Sequence, residues 1–167
     1  KDTKMAILKR IKGTTSEVMA EQVAGNIGIE TSVTITDDSY DATNLKLIMA
    51  ETNKTITLQK TAAWTPISAN AAELETILAR VNKYTGPLTV SDTPTLDQLN
   101  NIAKKTTGKV TAALDVNTPI LKGTVDALKD VNSSDDIAFA PTQDTVEGKS
   151  DLEALVALSK KLPNTVW

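Results

Sequence analysis

Short runs that alternate apolar and hydroxyl-bearing residues recur along the chain, and stretches with helical periodicity lie between them. The runs are rich in Val, Ile, Leu and Thr, which favour β-strands. The predicted strands are residues 33–36, 55–58, 88–91, 110–113, 137–140 and 165–166. Their first apolar residues stand at nearly regular intervals, at positions 33, 56, 88, 110, 137 and 166. Repetition at this spacing is typical of stacked units that each bury an apolar face on the next.

Helix-start signals precede the apolar stripes between these strands. A Ser, Thr or Asn three residues before Glu or Gln predicts a capped helix start, because two otherwise unpaired backbone N–H groups find acceptors. The pairs are Thr14 with Glu17, Asn70 with Glu73, Thr95 with Gln98, and Ser150 with Glu153. The stripes predicted to face inward are residues 45, 48 and 49; 74, 77, 78 and 81; 96, 99 and 102; 121, 125, 128 and 131; and 152, 155 and 158.

Two units in the middle of the chain match most closely. When Gly86 is placed on Gly108, Leu88 falls on Val110, and other apolar positions align at the same offset. Strands of one direction joined by helices imply parallel pairing with right-handed crossovers. The sequence therefore predicts a right-handed α/β solenoid, with short parallel strands on one face and helices on the other.

The alternative fold is a doubly wound sheet with helices on both faces, which needs longer loops and a Gly-rich phosphate turn that the sequence lacks. Within the solenoid, residues 61–70 are predicted to form the one long connection. Residues 5–11 read as a first strand or an extended arm. We expect residues 1–28 to form an N-terminal attachment or capping segment and residues 29–167 the α/β repeat domain.

Composition argues against enzymatic chemistry. The 167 residues include no His and no Cys, and aromatic residues make up only 3%. The commonest general base and the usual zinc ligands are therefore missing. Two Ser–Lys neighbours, at 149–150 and 159–160, lack the spacing of a Ser–Lys catalytic pair and are expected at exposed helix positions. The sequence predicts a protein that is not an enzyme and has no cofactor, no bound metal and no small-molecule substrate.

Two clusters of carboxylates are the remaining candidates for a metal site. Asp37, Asp38 and Asp41 form the first cluster, and Asp135 with Asp136 forms the second. The first cluster lacks the alternation and the Gly of a calcium-binding loop. We expect it to cap a helix and interact with the helix dipole, with calcium binding as the alternative.

Charge is distributed unevenly. Residues 1–12 carry five basic residues and one acidic residue, a net charge of +4, whereas residues 115–153 carry nine carboxylates and three lysines, a net charge of −6. The basic segment has no interleaved aromatics, so no nucleic-acid partner is expected. No apolar run is long enough for a membrane span, and no export signal is recognisable, so no membrane partner is expected, and the chain either stays where it is made or is a fragment of a larger protein.

The N-terminal segment combines apolar and basic side chains, which suits main-chain pairing with an exposed strand of an acidic partner. The predicted docking residues are Ile7, Leu8, Lys9, Arg10, Ile11 and Lys12. The acidic region at 115–153 is expected to point into solvent. The alternative is that this segment is simply the first strand of the fold.

One stretch of the chain resembles a known repeat. Residues 88–102 read LTVSDTPTLDQLNNI and residues 106–112 read TTGKVTA. This pattern resembles the tandem repeats of large surface proteins of marine cyanobacteria and other bacteria, in which T-V-S-D, Q-L-N-x-I and T-T-G-x-V-T elements recur. The close match is confined to this stretch, with weaker copies over positions 33–167, and positions 1–28 are not covered.

In size and repeat type the chain is also similar to small knob or decoration proteins on the capsids of marine cyanophages. The resemblance implies a virion structural protein on the capsid surface, which contacts the major capsid protein or another virion protein and also the host surface. The alternative is a repeat segment of a large secreted bacterial adhesin that depends on calcium.

Overall fold

The computed structural model describes residues 7–60, 65–114, 128–132, 134–139 and 148–161. Strands and helices alternate through most of these residues. The strands are β1 (Leu8–Gly13), β2 (Ile27–Ile35), β3 (Ile56–Leu58), β4 (Ile67–Ala69), β5 (Leu88–Val90), β6 (Val110–Leu114) and β7 (Asp136–Phe139). The helices are α1 (Thr15–Val23), α2 (Ala42–Met49), α3 (Ala71–Arg80), α4 (Leu96–Ala103) and α5 (Gly148–Lys161). The fold is therefore of the α/β class.

All the strand pairs in the described residues are parallel, and they form two sheets. The first sheet has the order β1-β2-β3 and the second the order β4-β5-β6-β7. In the first sheet Val33 pairs with Ile56, and in the second Leu88 pairs with Val110. The second pairing confirms the predicted alignment of these two units.

The helices follow one another in space as they do in sequence. Each of α1 to α3 contacts the next helix along the chain, up to α4. The predicted capping boxes of α1 and α4 are confirmed, because Thr14 and Glu17 bond each other's backbone N–H groups, as do Thr95 and Gln98. These two helices therefore start at positions that the sequence defines.

The start of α3 differs from the prediction in one bond. Asn70 caps the helix, since its Oδ1 accepts a hydrogen bond of 2.8 Å from the Glu73 backbone N–H. The Glu73 carboxylate is not seen to return the bond; it accepts one of 2.7 Å from Lys46 on α2 instead. This carboxylate therefore links two helices rather than completing a capping box.

The core is almost entirely aliphatic. Its fully buried side chains come from both sheets and from the inner faces of the helices, and the larger ones are Ile35, Leu45, Ile48, Ile56, Leu58, Ile67, Leu74, Ile77, Leu88, Leu99, Ile102 and Leu128. Two buried aromatic rings, Tyr40 and Tyr84, meet edge to face with centroids 6.4 Å apart. Burial of branched aliphatic side chains is the main stabilising term in such a fold.

Buried threonine side chains connect neighbouring units. Thr31 Oγ1 donates to the Leu8 carbonyl oxygen at 2.5 Å. Thr52 Oγ1 lies 2.6 Å from the carbonyl oxygen of Thr31, and Thr106 Oγ1 lies 2.6 Å from that of Gly86. Each bond satisfies a carbonyl group of the preceding unit, and a buried polar group left unpaired would be costly.

Two predicted elements require correction. Residues 67–69 form strand β4 rather than part of a long connection, because Ile67 and Ala69 are buried where they pair with β5. Helix α5 begins at Gly148, so Ser150 lies inside the helix and is not its N-cap. Leu152, predicted to face inward, is 53% exposed. The predicted strand at 165–166 and the stripe positions 121 and 125 lie outside the described residues.

Candidate docking strand and polar cleft

The predicted docking residues lie in and beside β1, at the end of the first sheet. The side chains of Lys9, Arg10 and Lys12 are exposed, and those of Leu8 and Ile11 are partly buried. Ile7, just before the strand, is 55% exposed. Segment 8–13 is thus the first strand of the sheet, which is one of the two structures predicted for this part of the chain; the other was an extended arm. Its docking role stays a prediction.

The pairing of β1 with β2 explains why three cations in four residues remain on the surface. The register shifts between Leu8 and Arg10, so that Leu8 pairs with Ile27 while Ile11 pairs with Val33. Because of this irregularity, Leu8 and Ile11 are both partly buried although their spacing is odd, and Ile11 packs against the core. The basic side chains between and after them are left outside.

The β1 cations have no acidic partner in the described part of the chain. The described ion pairs join Lys46 to Glu73, Lys54 to Glu30, Lys60 to Asp38 and Lys109 to Asp136. None includes a side chain of β1. In the described residues, the outer edge of β1 is also unpaired with any other strand. Residues 7–12 therefore combine an unpaired strand edge with uncompensated positive charge.

A cleft of about 700 Å³ opens beyond the carboxyl end of β2. Its walls come from the first turns of α1 and α2, from the segment between β2 and α2, and from the residues around the start of β4. These lining segments fall within residues 15–19, 37–44 and 65–68. The carboxyl end of a parallel strand, flanked by helix starts, is a common position for ligand sites in α/β folds.

The first carboxylate cluster borders this cleft, and its three members have separate roles. Asp41 is the N-cap of α2, with Oδ1 accepting a bond of 2.9 Å from the Asn44 N–H. Asp37 accepts bonds from both the backbone N–H and the hydroxyl of Thr15, the first residue of α1. Asp38 forms an ion pair of 2.5 Å with Lys60. The predicted capping role is therefore confirmed for Asp41, and Asp37 additionally serves the helix of the preceding unit.

The second cluster is structural. Asp135 is fully buried, and its two carboxylate oxygens accept bonds from the backbone N–H groups of Val110 at 2.8 Å and Asn132 at 3.0 Å. Burial raises the pKa of this carboxyl group. The expectation that region 115–153 points into solvent is thus wrong for Asp135, because this buried side chain accepts a bond from the backbone N–H of Val110 at the start of β6.

Neither carboxylate cluster forms a metal centre in the described residues, where no group of three or more acidic side chains converges in a geometry that could hold an ion. The Ser–Lys neighbour at 159–160 is not a catalytic pair, since Ser159 donates to the Val156 carbonyl oxygen at 2.9 Å. The side chains of residues 149 and 150 lie outside the described part.

Sequence reasoning did not predict the cleft itself. Its lining comes from three segments that are distant in sequence and that meet only in the folded chain. Hydroxyl-rich stretches beside the helix starts could have indicated a polar cleft, but Ser and Thr are also common N-cap residues. The sequence pattern therefore indicated capping alone.

The sequence matches no protein-family model, no curated protein and no solved structure. Among the described residues, none of the helices combines the length and the apolar character that crossing a bilayer requires.

Proposed function

We propose that this protein is a non-enzymatic structural component of a virion, and that it docks on the capsid surface through β1. One observation carries the proposal: β1 is an edge strand that bears three exposed cations without an acidic partner in the described residues. Natural proteins usually pair or cover such an edge, because its free N–H and C=O groups are ready to join another strand.

The chemistry of β1 indicates the kind of partner. An added strand gains main-chain hydrogen bonds from the edge, while Lys9, Arg10 and Lys12 favour an acidic surface. Ile7 adds an exposed apolar contact beside the cations. The partner is therefore a strand edge on the major capsid protein, or on another virion protein, with carboxylates alongside it.

The architecture that we propose for the whole chain is a right-handed α/β solenoid. Supporting it are the serial contacts of α1 to α4 and two parallel pairs that share one sequence offset, Gly13 with Ile35 and Leu88 with Val110. Right-handed crossovers are the rule for parallel strands joined by helices. A solenoid of this kind presents extended surface for attachment, and its terminal unit is where a covering partner is needed.

A secreted, calcium-dependent adhesin repeat was the alternative. Asp37 has one carboxylate oxygen bonded to Thr15, and Asp38 is paired with Lys60, so part of the donor set that calcium would need is used within the protein. This arrangement gives a calcium-dependent role no specific support, whereas the β1 edge supports docking.

The test is co-sedimentation of the purified protein with capsids assembled without it. The variant Lys9→Glu/Arg10→Glu/Lys12→Glu should lose binding, because charge reversal opposes an acidic surface while leaving the exposed side chains outside the core. The matched control, Lys104→Glu/Lys105→Glu, changes exposed cations just after α4 and should bind as the natural sequence does. Unchanged melting of both variants shows that the fold is intact.

Two results would overturn the proposal. The first is binding by the triple variant that equals that of the control. The second is turnover of a substrate by the purified chain at a rate that one point substitution abolishes, which would contradict the non-enzymatic role.

A further inference from the structure

The cleft between the starts of α1 and α2 has a lining suited to a particular ligand chemistry. Several hydroxyl groups, one carboxamide and two carboxylates face it, and its described lining residues include no Lys or Arg. Polar side chains in the lining include those of Ser16, Asp37, Ser39, Asp41, Asn44 and Ser68. A lining of this composition offers acceptors and hydroxyls but no fixed cation, so it disfavours phosphates and carboxylates as ligands.

Much of this hydrogen-bonding capacity is unused within the part of the chain that the structure describes. The side chains of Ser39 and Asn44 form no hydrogen bond with the rest of the described chain. Each carboxylate uses one oxygen internally, Asp37 for Thr15 and Asp41 for the Asn44 N–H. The second oxygens, Oδ1 of Asp37 and Oδ2 of Asp41, are left as acceptors.

The positive ends of two helices partly offset the negative charge of the Asp37 and Asp41 carboxylates. Asp41 caps α2, and Asp37 bonds the first backbone N–H of α1. The positive end of a helix dipole offsets a carboxylate at this position. The cleft is therefore better described as rich in acceptors than as strongly anionic. A ligand with many hydroxyl donors fits it better than a simple cation does.

The cleft also has an apolar part. Met19 and Pro66 contribute to its wall, and Tyr40 is present at its base, 6% exposed. The Tyr40 hydroxyl is already committed, since it donates to the Lys60 carbonyl oxygen. Such a combination of polar groups and C–H surface complements a sugar ring, which has hydroxyls at its rim and apolar faces.

We propose that this cleft binds a neutral saccharide, with Ser39 and Asn44 as direct contacts. The volume of about 700 Å³ is within the range of small-molecule sites. The saccharide is held and not transformed, and the inference does not rest on docking to a capsid. It adds to the protein a surface on which a glycan is recognised.

Titration of the ¹⁵N-labelled protein tests the inference by NMR. The probes are methyl α-D-mannopyranoside, methyl β-D-galactopyranoside and methyl β-D-glucopyranoside, with tetramethylammonium chloride as the cationic probe. For at least one glycoside we expect saturable shifts at the amides of Ser16, Ser39 and Asn44, with a dissociation constant on the order of 1 mM. Tetramethylammonium should cause none.

Matched variants assign the contacts. Ser39→Ala/Asn44→Ala should weaken binding about fivefold or more, because it removes two ligand hydrogen bonds while disrupting none within the protein. The control Ser32→Ala/Asn53→Ala changes exposed residues outside the cleft and should bind as the natural sequence does. The β1 charge variant should also bind normally, so the capsid and saccharide proposals fail separately.

Three results would overturn the inference: no saturable shift with any of the three glycosides, shifts with tetramethylammonium but not with glycosides, or equal binding by the cleft variant and its control.

Discussion

The hydroxyls of Thr52 and Thr106 make the same hydrogen bonds in two different units of the chain. Each side chain is buried, and each Oγ1 lies 2.6 Å from a carbonyl oxygen of the preceding unit. Each also accepts a bond from the backbone N–H two residues further on, at 3.1 Å from Lys54 and 3.0 Å from Gly108. One side chain thus fixes its own turn and ties that turn to the neighbouring unit.

Replacing Thr106 by Val should destabilise the protein by about 1–3 kcal/mol, because the buried Gly86 carbonyl and the partly buried Gly108 N–H lose their partner while the shape is kept. Urea unfolding followed by circular dichroism measures the change. The control is Thr107→Val, which alters the exposed neighbour that makes no such bond. Equal stability of the two variants would contradict the role assigned to Thr106.

Replacing Gly108 by Ala should also destabilise the fold, by about 3 kcal/mol, the upper part of the range for overpacking. A Cβ atom at this position would overlap the backbone carbonyl groups of Gly86 and Thr85. Displacing Gly86 would weaken the Thr106 bond as well. Thermal melting beside a Thr107→Ala control measures the effect, and an unchanged melting temperature would show that the two turns do not approach closely.

The buried Asp135 carboxyl group predicts a dependence of stability on pH. Burial raises its pKa above the ordinary value of 3.8, so the folded protein keeps this proton to a higher pH than the unfolded chain does. Its contribution to the free energy of unfolding is therefore full below pH 3.8 and is lost as the pH rises through the folded-state pKa. In Asp135→Asn this contribution is absent.

Unfolding by urea at a series of pH values measures that contribution. The free energy of unfolding of the natural protein minus that of Asp135→Asn should decrease as the pH rises from about 3.8. Asp97→Asn, at an exposed position in the first turn of α4, serves as the control. A difference that increases with pH would mean that the two backbone bonds, and not burial, dominate the ionisation of Asp135.

The two tyrosines should ionise late in the folded state. Burial raises the pKa of Tyr84 to about 12 and also raises that of Tyr40, from an ordinary value of 10.0. Since the chain contains no other tyrosine, the tyrosinate absorbance reports on these two alone. At pH 10 the folded protein should show about half or less of the tyrosinate signal of the urea-unfolded chain. Equal signals, with circular dichroism still native, would place both hydroxyls in solvent.

Local sequence signals predicted most of the helices and strands because those elements have local causes. Thr14 with Glu17 and Thr95 with Gln98 mark helix starts through bonds that span only three residues. The register of Leu88 with Val110 followed from a repeat visible in the sequence. Strand β4 was missed because three residues beside Pro66 carry little signal, and their strand conformation depends on pairing with β5.

Interactions between units were harder to predict. Asp92, which follows β5, accepts a bond of 2.8 Å from the backbone N–H of Ala71, the first residue of α3. Asp37, which follows β2, accepts one from the backbone N–H of Thr15, the first residue of α1. Nothing local distinguishes these carboxylates from ordinary turn residues, and their partners become apparent only when the parallel register is known. The composition of residues 7–12 was enough to predict a docking role, which stays a prediction, whereas the cleft depends on three segments meeting in space.

The spacing of the units also bears on how the length of such a protein can change. Positions 88–109 contain one strand, one helix, the Thr106 bond and Gly108, and the next unit begins in register at Val110. An in-frame duplication of this stretch would therefore supply every group that the new copy needs to join its neighbours. Length is thus a property that replication slippage can alter in whole steps, which lets a lineage add or remove units without redesigning the remaining residues.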